Sequence, residues 1–227
     1  MNELGLRKIL INNQQKFGPI IQRRLLRQHR YVFDLSSKNA ELKNFDFSIR
    51  QKFVDYIFNT LKRNNCRIGL GQYNEDRIIY NTNIFKTNKN VRSIHLGVDL
   101  WLPVNTAILA PLTGRVYSLA DNLGPGDYGP TIILSHQLSN ITFYTLYGHL
   151  SRQSLRCLKV NQKIGQGKII GRLGNIRVNG NWPPHLHFQI ISNMLGQYGD
   201  FYGVCSRQER RFYTNLCPNP NLILKIR

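Results

Sequence analysis

HLHFQI, residues 185–190, is the stretch on which the fold turns. Side chains at i and i+2 of a β-strand point to one face, so His185, His187 and Gln189 share one side while Leu186, Phe188 and Ile190 share the other. The apolar row seals the strand onto a core, and the imidazole row then faces a cleft. A second strand is read over residues 141–149, where Phe143, Thr145, Tyr147 and His149 alternate with Thr142, Tyr144 and Leu146. This alternation puts His149 at the strand end on the face of Tyr147, with Gly148 leaving room beside it.

A third segment, HLGVD at residues 95–99, completes the set. His95 and Asp99 are four apart, as on a helix face, but Gly97 and the nearby Pro103 oppose a helix. In a straight strand their Cα atoms would lie about 13 Å apart, too far to share a metal. The chain must therefore bend, and Gly97 is the residue that permits it. Together the three segments supply three side chains able to hold a zinc ion and two more histidines to work beside it, the minimum for a metallohydrolase. The chain has six histidines, and four fall in these segments, which composition alone does not explain.

In order and flanking residues, HLGVD, YGHL (147–150) and HLHF (185–188) resemble the lysostaphin and LytM type of zinc metalloendopeptidase, which cleaves peptide bridges in bacterial peptidoglycan. The resemblance runs from about residue 92 to 192 and takes in PLTGRV at 111–116, similar to the family's turn ahead of a core strand. It implies a mainly β fold, an antiparallel β-sandwich with a zinc-containing groove. It also implies one Zn2+ per chain held by His95, Asp99 and His187, two imidazoles and a carboxylate that leave coordination places open for chemistry. His149 and His185 match the family's two histidines that do not bind metal, which take a proton from the attacking water and stabilise the tetrahedral oxyanion. Which of the two is the base stays open. His29 and His136 match no ligand position and are read as structural or solvated.

The 227-residue chain, 41% hydrophobic, is long enough for one full core with an appendage. Its 31 Lys+Arg against 12 Asp+Glu give a formal charge of +19, a field that favours polyanionic partners such as cell-wall polymers. The basic residues are dispersed and accompany no nucleic-acid-binding signature. Cys66, Cys157, Cys205 and Cys217 form no CxxC pair and are expected to be free thiols. No run of about 18 apolar residues predicts a membrane span. Residues 1–30 mix apolar and basic positions and lack the apolar core of a secretory signal. The chain is therefore expected to be cytoplasmic, or exported or released by a signal-independent route.

Three regions are expected. Residues 1–85 form an N-terminal α+β portion able to cover the groove, with Tyr80, Asn81 and Asn83 as candidate donors near the site. Within it, residues 48–64 read as a helix with a Ser48/Gln51 capping box and with Ile49, Phe53, Ile57 and Leu61 on one face. Residues 86–195 form the zinc metallopeptidase domain. Residues 196–227, with Pro218 and Pro220, form a tail packed on the core.

The function expected is hydrolysis of peptide bonds in peptidoglycan cross-links or stem peptides, with peptidoglycan or a peptide as substrate. Two alternatives stand beside it: a zinc hydrolase of a small intracellular peptide or amide, and a non-catalytic activator of wall enzymes. The segment before HLHF reads VNGNWPP (178–184), where secreted members carry a Gly/Ser/Thr-rich turn, so the substrate is less fixed than the chemistry.

Overall fold

The computed structural model describes residues 3–80, 82–86 and 90–226. Among these, twelve strands form: β1 (Arg30–Phe33), β2 (Ile68–Gly71), β3 (Arg92–His95), β4 (Val98–Trp101), β5 (Ala107–Leu109) and β6 (Gly114–Asn122). They continue as β7 (Gly129–Leu138), β8 (Ile141–Gly148), β9 (Lys163–Ile164), β10 (Ile169–Arg172), β11 (His185–Ile191) and β12 (Val204–Ser206). Eight strands make one sheet in the order β1-β2-β4-β11-β8-β7-β6-β9, and two-stranded sheets pair β10 with β5 and β12 with β3. Within the large sheet only β1 and β2 run parallel. The protein is thus mainly β and largely antiparallel, with few helices.

Strand β11 lies between β4 and β8, and all seven of its residues are buried. Its apolar row Leu186, Phe188 and Ile190 joins a core with Val98, Leu100, Ile132, Leu134 and Tyr147. The N-terminal helix Glu3–Asn12 adds Leu6 and Leu10 to this core, and the tail adds Ile223, Leu224 and Ile226. On the opposite face Ile133, Leu146 and Ile191 meet Met194 and Phe201. A strand covered on both sides holds its register strongly, because a one-residue slip would exchange the histidine row for the apolar row.

The helix of the N-terminal portion spans Arg50–Arg63 and buries Phe53, Ile57 and Leu61, while Ile49 precedes it and remains exposed. The expected capping box does not form. Ser48 Oγ donates instead to Asp46 Oδ1 at 2.5 Å, and Gln51 Nε2 donates to Asp55 Oδ1 at 2.8 Å, each a competing local acceptor. Strands β1 and β2 from this portion extend the large sheet, with Gly71 opposite Asp99 in the β2–β4 register. Asn81 lies outside the described residues.

His136 is buried on β7, its Nδ1 donating to Thr113 O at 3.0 Å and its Nε2 lying 2.8 Å from the Thr145 hydroxyl. Burial pushes its pKa down to about 4, against an unfolded value of roughly 6.5. The unfolded chain then binds the extra proton first as pH falls, so the stability this residue confers is complete above pH ~6.5 and is lost on the way down through pH ~4. Unfolding free energy of the metal-free protein should fall by about 1.4 kcal/mol per pH unit from this residue alone across that window. Urea titrations of wild type and His136→Gln from pH 7 to pH 4 should diverge in slope by that proton. Parallel slopes would show that His136 is charged in the native state.

Candidate metal centre

Two strand registers and one corner assemble the site. In the β4–β11 pairing His187 lies opposite Asp99 and His185 opposite Trp101, and in the β8–β11 pairing His187 lies opposite Gly148. His95 ends β3, which belongs to a different sheet from β4, so the chain changes sheets at Leu96 and Gly97. This corner is the expected bend, and it brings His95 Nε2 to 3.2 Å from Asp99 Oδ1. What makes glycine necessary at 97 is space: a Cβ there would lie 2.5 Å from Cε1 and Nε2 of His187.

His149 reaches the cleft by a different route from the one strand alternation gives. Tyr147 faces the core with Phe188, and Gly148 faces the site opposite His187. Simple alternation would return His149 to the core. Its backbone is instead left-handed, with φ of 62°, and this turns the ring toward His185 at a centroid distance of 4.0 Å. The room left by Gly148 is taken by Tyr128, whose Cδ1 lies 2.6 Å from where a Cβ would be.

One donor atom from each of His95, Asp99 and His187 lies within 4.8 Å of the others, and all three residues are buried. His95 Nε2 is 3.0 Å from His187 Nδ1, which is 3.1 Å from Asp99 Oδ1. The outer ring nitrogens fix the protonation pattern. His95 Nδ1 faces Gln72 O at 2.9 Å, and His187 Nε2 faces Gln189 Oε1 at 2.9 Å, so each outer nitrogen carries the proton. Gln189 Nε2 donates to Tyr202 O at 3.1 Å, which sets its amide with oxygen toward His187. Two imidazole lone pairs and a carboxylate oxygen therefore converge with no hydrogen between them, and a divalent cation satisfies such a set.

His149 and His185 follow the same logic. His149 Nδ1 donates to Asn179 O at 2.9 Å and His185 Nδ1 to Pro183 O at 2.7 Å, so each presents an unprotonated Nε2 to the cleft. Burial is the main cause that lowers both pKa values, well below the usual imidazole range for His149 and to about 4 for His185. Burial, then the nearby Arg77, lowers His95 to about 4. For Asp99 burial pushes upward, but His95 and Arg77 outweigh it and hold the carboxyl well below its ordinary value. The other carboxyl oxygen, Oδ2, accepts from Arg77 Nη1 at 2.6 Å.

Arg77, Tyr128 and Gln189 are site residues that motif reading missed. Arg77 is one of 31 basic residues and carries no pattern of its own. Gln189 was legible as a member of the His185–His187 face, although its bond to His187 was not. The cleft over the histidines has a volume of about 300 Å³, and its lining includes Tyr80, Phe85, Trp182, Asp127, Tyr128 and Asp200. Burial, with Asp127 nearby, raises Asp200 to about 6.

Residues 93–198, a little under half of the chain, match the family model described as Peptidase family M23. Over that stretch the chain is similar to Peptidase family M23, and the stretch contains His95, Asp99, His149, His185 and His187. Similar solved structures include one assigned to peptidase M23 from Pseudomonas aeruginosa, with 18% identity and TM-score 0.39, covering 59% of this chain and 44% of that one. A zinc containing peptidase from Vibrio cholerae shows 24% identity and TM-score 0.36, covering 46% of this chain and 29% of that one. The catalytic domain of lysostaphin from Staphylococcus simulans shows 23% identity and TM-score 0.41, covering 66% of this chain and 94% of that one. The chain thus spans less than half the length of the first two. No curated protein matches it significantly.

The closeness of Gly97 to His187 gives a direct test of the corner. Gly97→Ala should displace the His187 ring and cost about 1–3 kcal/mol, the usual effect of forcing a methyl group into a packed site. Thermal unfolding of the metal-free protein measures the cost, and an unchanged melting temperature would show that the ring is free to move.

Proposed function

We propose that the protein is a zinc-dependent endopeptidase that hydrolyses peptide bonds in peptidoglycan cross-links or stem peptides. The observation that carries this reading is the convergence of His95 Nε2, Asp99 Oδ1 and His187 Nδ1 beside two further imidazoles, within a family M23 stretch. Two nitrogens and one oxygen suit zinc and leave positions open, the pattern of a catalytic rather than a structural site. A bound zinc ion would supply Lewis-acid polarisation of the scissile carbonyl and would acidify the attacking water.

The remaining work falls to this chain's own groups. His149 and His185 are neutral near pH 7 because burial depresses their pKa values, so either Nε2 can accept the proton of the attacking water. The imidazolium formed then carries the Nε2–H that can stabilise the oxyanion and return that proton to the leaving amine, whereas its neutral partner ring, 4.0 Å away between centroids, can only accept. The Asn179 and Pro183 carbonyls hold each ring in the tautomer that leaves Nε2 free to accept the proton of the water. Substrate bound over the cleft would exclude water, which strengthens each of these interactions.

The choice of peptidoglycan draws on the family stretch and on the charge. A formal +19 favours association with anionic wall polymers, an attraction that salt should weaken. The lysostaphin catalytic domain is described as an antimicrobial peptidase, and the structure from Vibrio cholerae as a zinc containing peptidase.

Elemental analysis of the purified protein should find about one zinc per chain, falling sharply in Asp99→Ala and His187→Ala. His149→Ala and His185→Ala should keep the metal while turnover falls by about 10²- to 10⁴-fold, the range for loss of a general base or an oxyanion donor. Soluble peptide released from purified sacculi, compared with cleavage of D-Ala-containing and glycine-containing peptides, measures that turnover. Zinc retained in both ligand variants would remove this site. Zinc bound with no release from any of these substrates would move the assignment to a small amide.

A further inference from the structure

Arg77 lies outside the stretch matched by the family model, yet its guanidinium closes the back of the metal centre. Its side chain is fully buried. Nη1 donates to Asp99 Oδ2 at 2.6 Å and lies 3.2 Å from the Tyr80 hydroxyl. Nε donates to Glu75 Oε2 at 2.9 Å, and Nη2 donates to Gln72 O at 3.2 Å. A Cβ on Gly71, the residue opposite Asp99 in β2, would come 2.7 Å from Nη2, so glycine there leaves the space that the guanidinium fills.

The backbone around Arg77 grips the other ligand of this corner. Gln72 O accepts from His95 Nδ1, Asn74 N donates to His95 O at 2.7 Å, and His95 N donates to Glu75 O at 2.9 Å. Arg77 N donates to Ser93 O at 2.9 Å. Residues 72–77 therefore act as a strap along His95 and Asp99. The two oxygens of Asp99 are divided by it, with Oδ1 toward the imidazoles and Oδ2 toward the guanidinium.

We infer that Arg77 is a positioning residue that restricts Asp99 to one-oxygen ligation and so keeps a coordination place open for the substrate carbonyl. This rests on the reading that His95, Asp99 and His187 hold zinc. A carboxylate left free can bind a metal through both oxygens, and the second oxygen would occupy the place that catalysis needs. A short charge-assisted hydrogen bond from a rigid guanidinium opposes that swing. Without Arg77 the carboxylates of Asp99 and Glu75 would also be buried with no cation between them.

Cobalt(II) makes the coordination visible, because its visible absorption is intense in four-coordinate sites and weak in six-coordinate ones. Wild type loaded with cobalt should show the intense spectrum. Arg77→Met should lose intensity as Oδ2 turns to the metal, and Arg77→Lys, which keeps the charge but not the fork, should recover part of it. A purely structural ion pair would lower the unfolding temperature of the metal-free chain without altering the spectrum of the folded, loaded variant. An Arg77→Met protein that folds and shows the wild-type spectrum overturns the inference. Should that variant fail to fold, a crystal structure of zinc-loaded wild type decides: Oδ1 alone on the metal supports the assignment, and both oxygens on it overturn it. If neither cobalt nor zinc binds wild type, the zinc reading itself falls, a result distinct from metal bound with an unchanged spectrum.

Discussion

The carboxylate of Asp99 is the constraint around which the rest of the structure is arranged. A buried charge of this kind is costly unless it is paired and hydrogen-bonded on every side. Arg77 satisfies one oxygen, while the other faces His95 and His187, whose lone pairs add to its negative field instead of relieving it. A cation on the imidazole side would relieve that imbalance. The fold thus holds a half-neutralised carboxylate in place, and the unsatisfied half defines the candidate metal centre.

Holding it there takes elements from well-separated parts of the chain. Strand β11 is buried on both faces and presents His185 and His187 in a register that its apolar row cannot leave. The sheet change at Gly97 folds His95 back onto Asp99, and β2 with its following strap closes the far side. Residues before the family stretch therefore contribute Arg77 and Gln72 to the centre and Tyr80 and Phe85 to the cleft wall. The polar outer contacts fix tautomers and ring planes before any metal arrives, which lowers the reorganisation that binding requires.

Much of this was legible in the sequence, for physical reasons that differ between residues. The two-residue alternation of HLHFQI showed both a core strand and a histidine face, because strand geometry leaves no other arrangement. The bend at Gly97 followed from distance alone, since a straight strand could not bring His95 to Asp99. Alternation misplaced His149, because it carries no information about a left-handed residue at a strand end. The Ser48/Gln51 box failed because Asp46 and Asp55 offered nearer acceptors, a competition that spacing does not rank. Arg77 was illegible for a different reason: a lone arginine becomes meaningful only when long-range pairing sets it against a carboxylate 22 positions away.

The proposed zinc ion sits among His95, Asp99 and His187, with His149 and His185 off it. Anomalous diffraction at the zinc edge from crystals of the purified protein measures this directly. A single strong peak is expected within bonding distance of His95 Nε2, Asp99 Oδ1 and His187 Nδ1. A peak bonded to His149 or His185 in place of His187, or no peak at this corner in zinc-supplemented crystals, would contradict it.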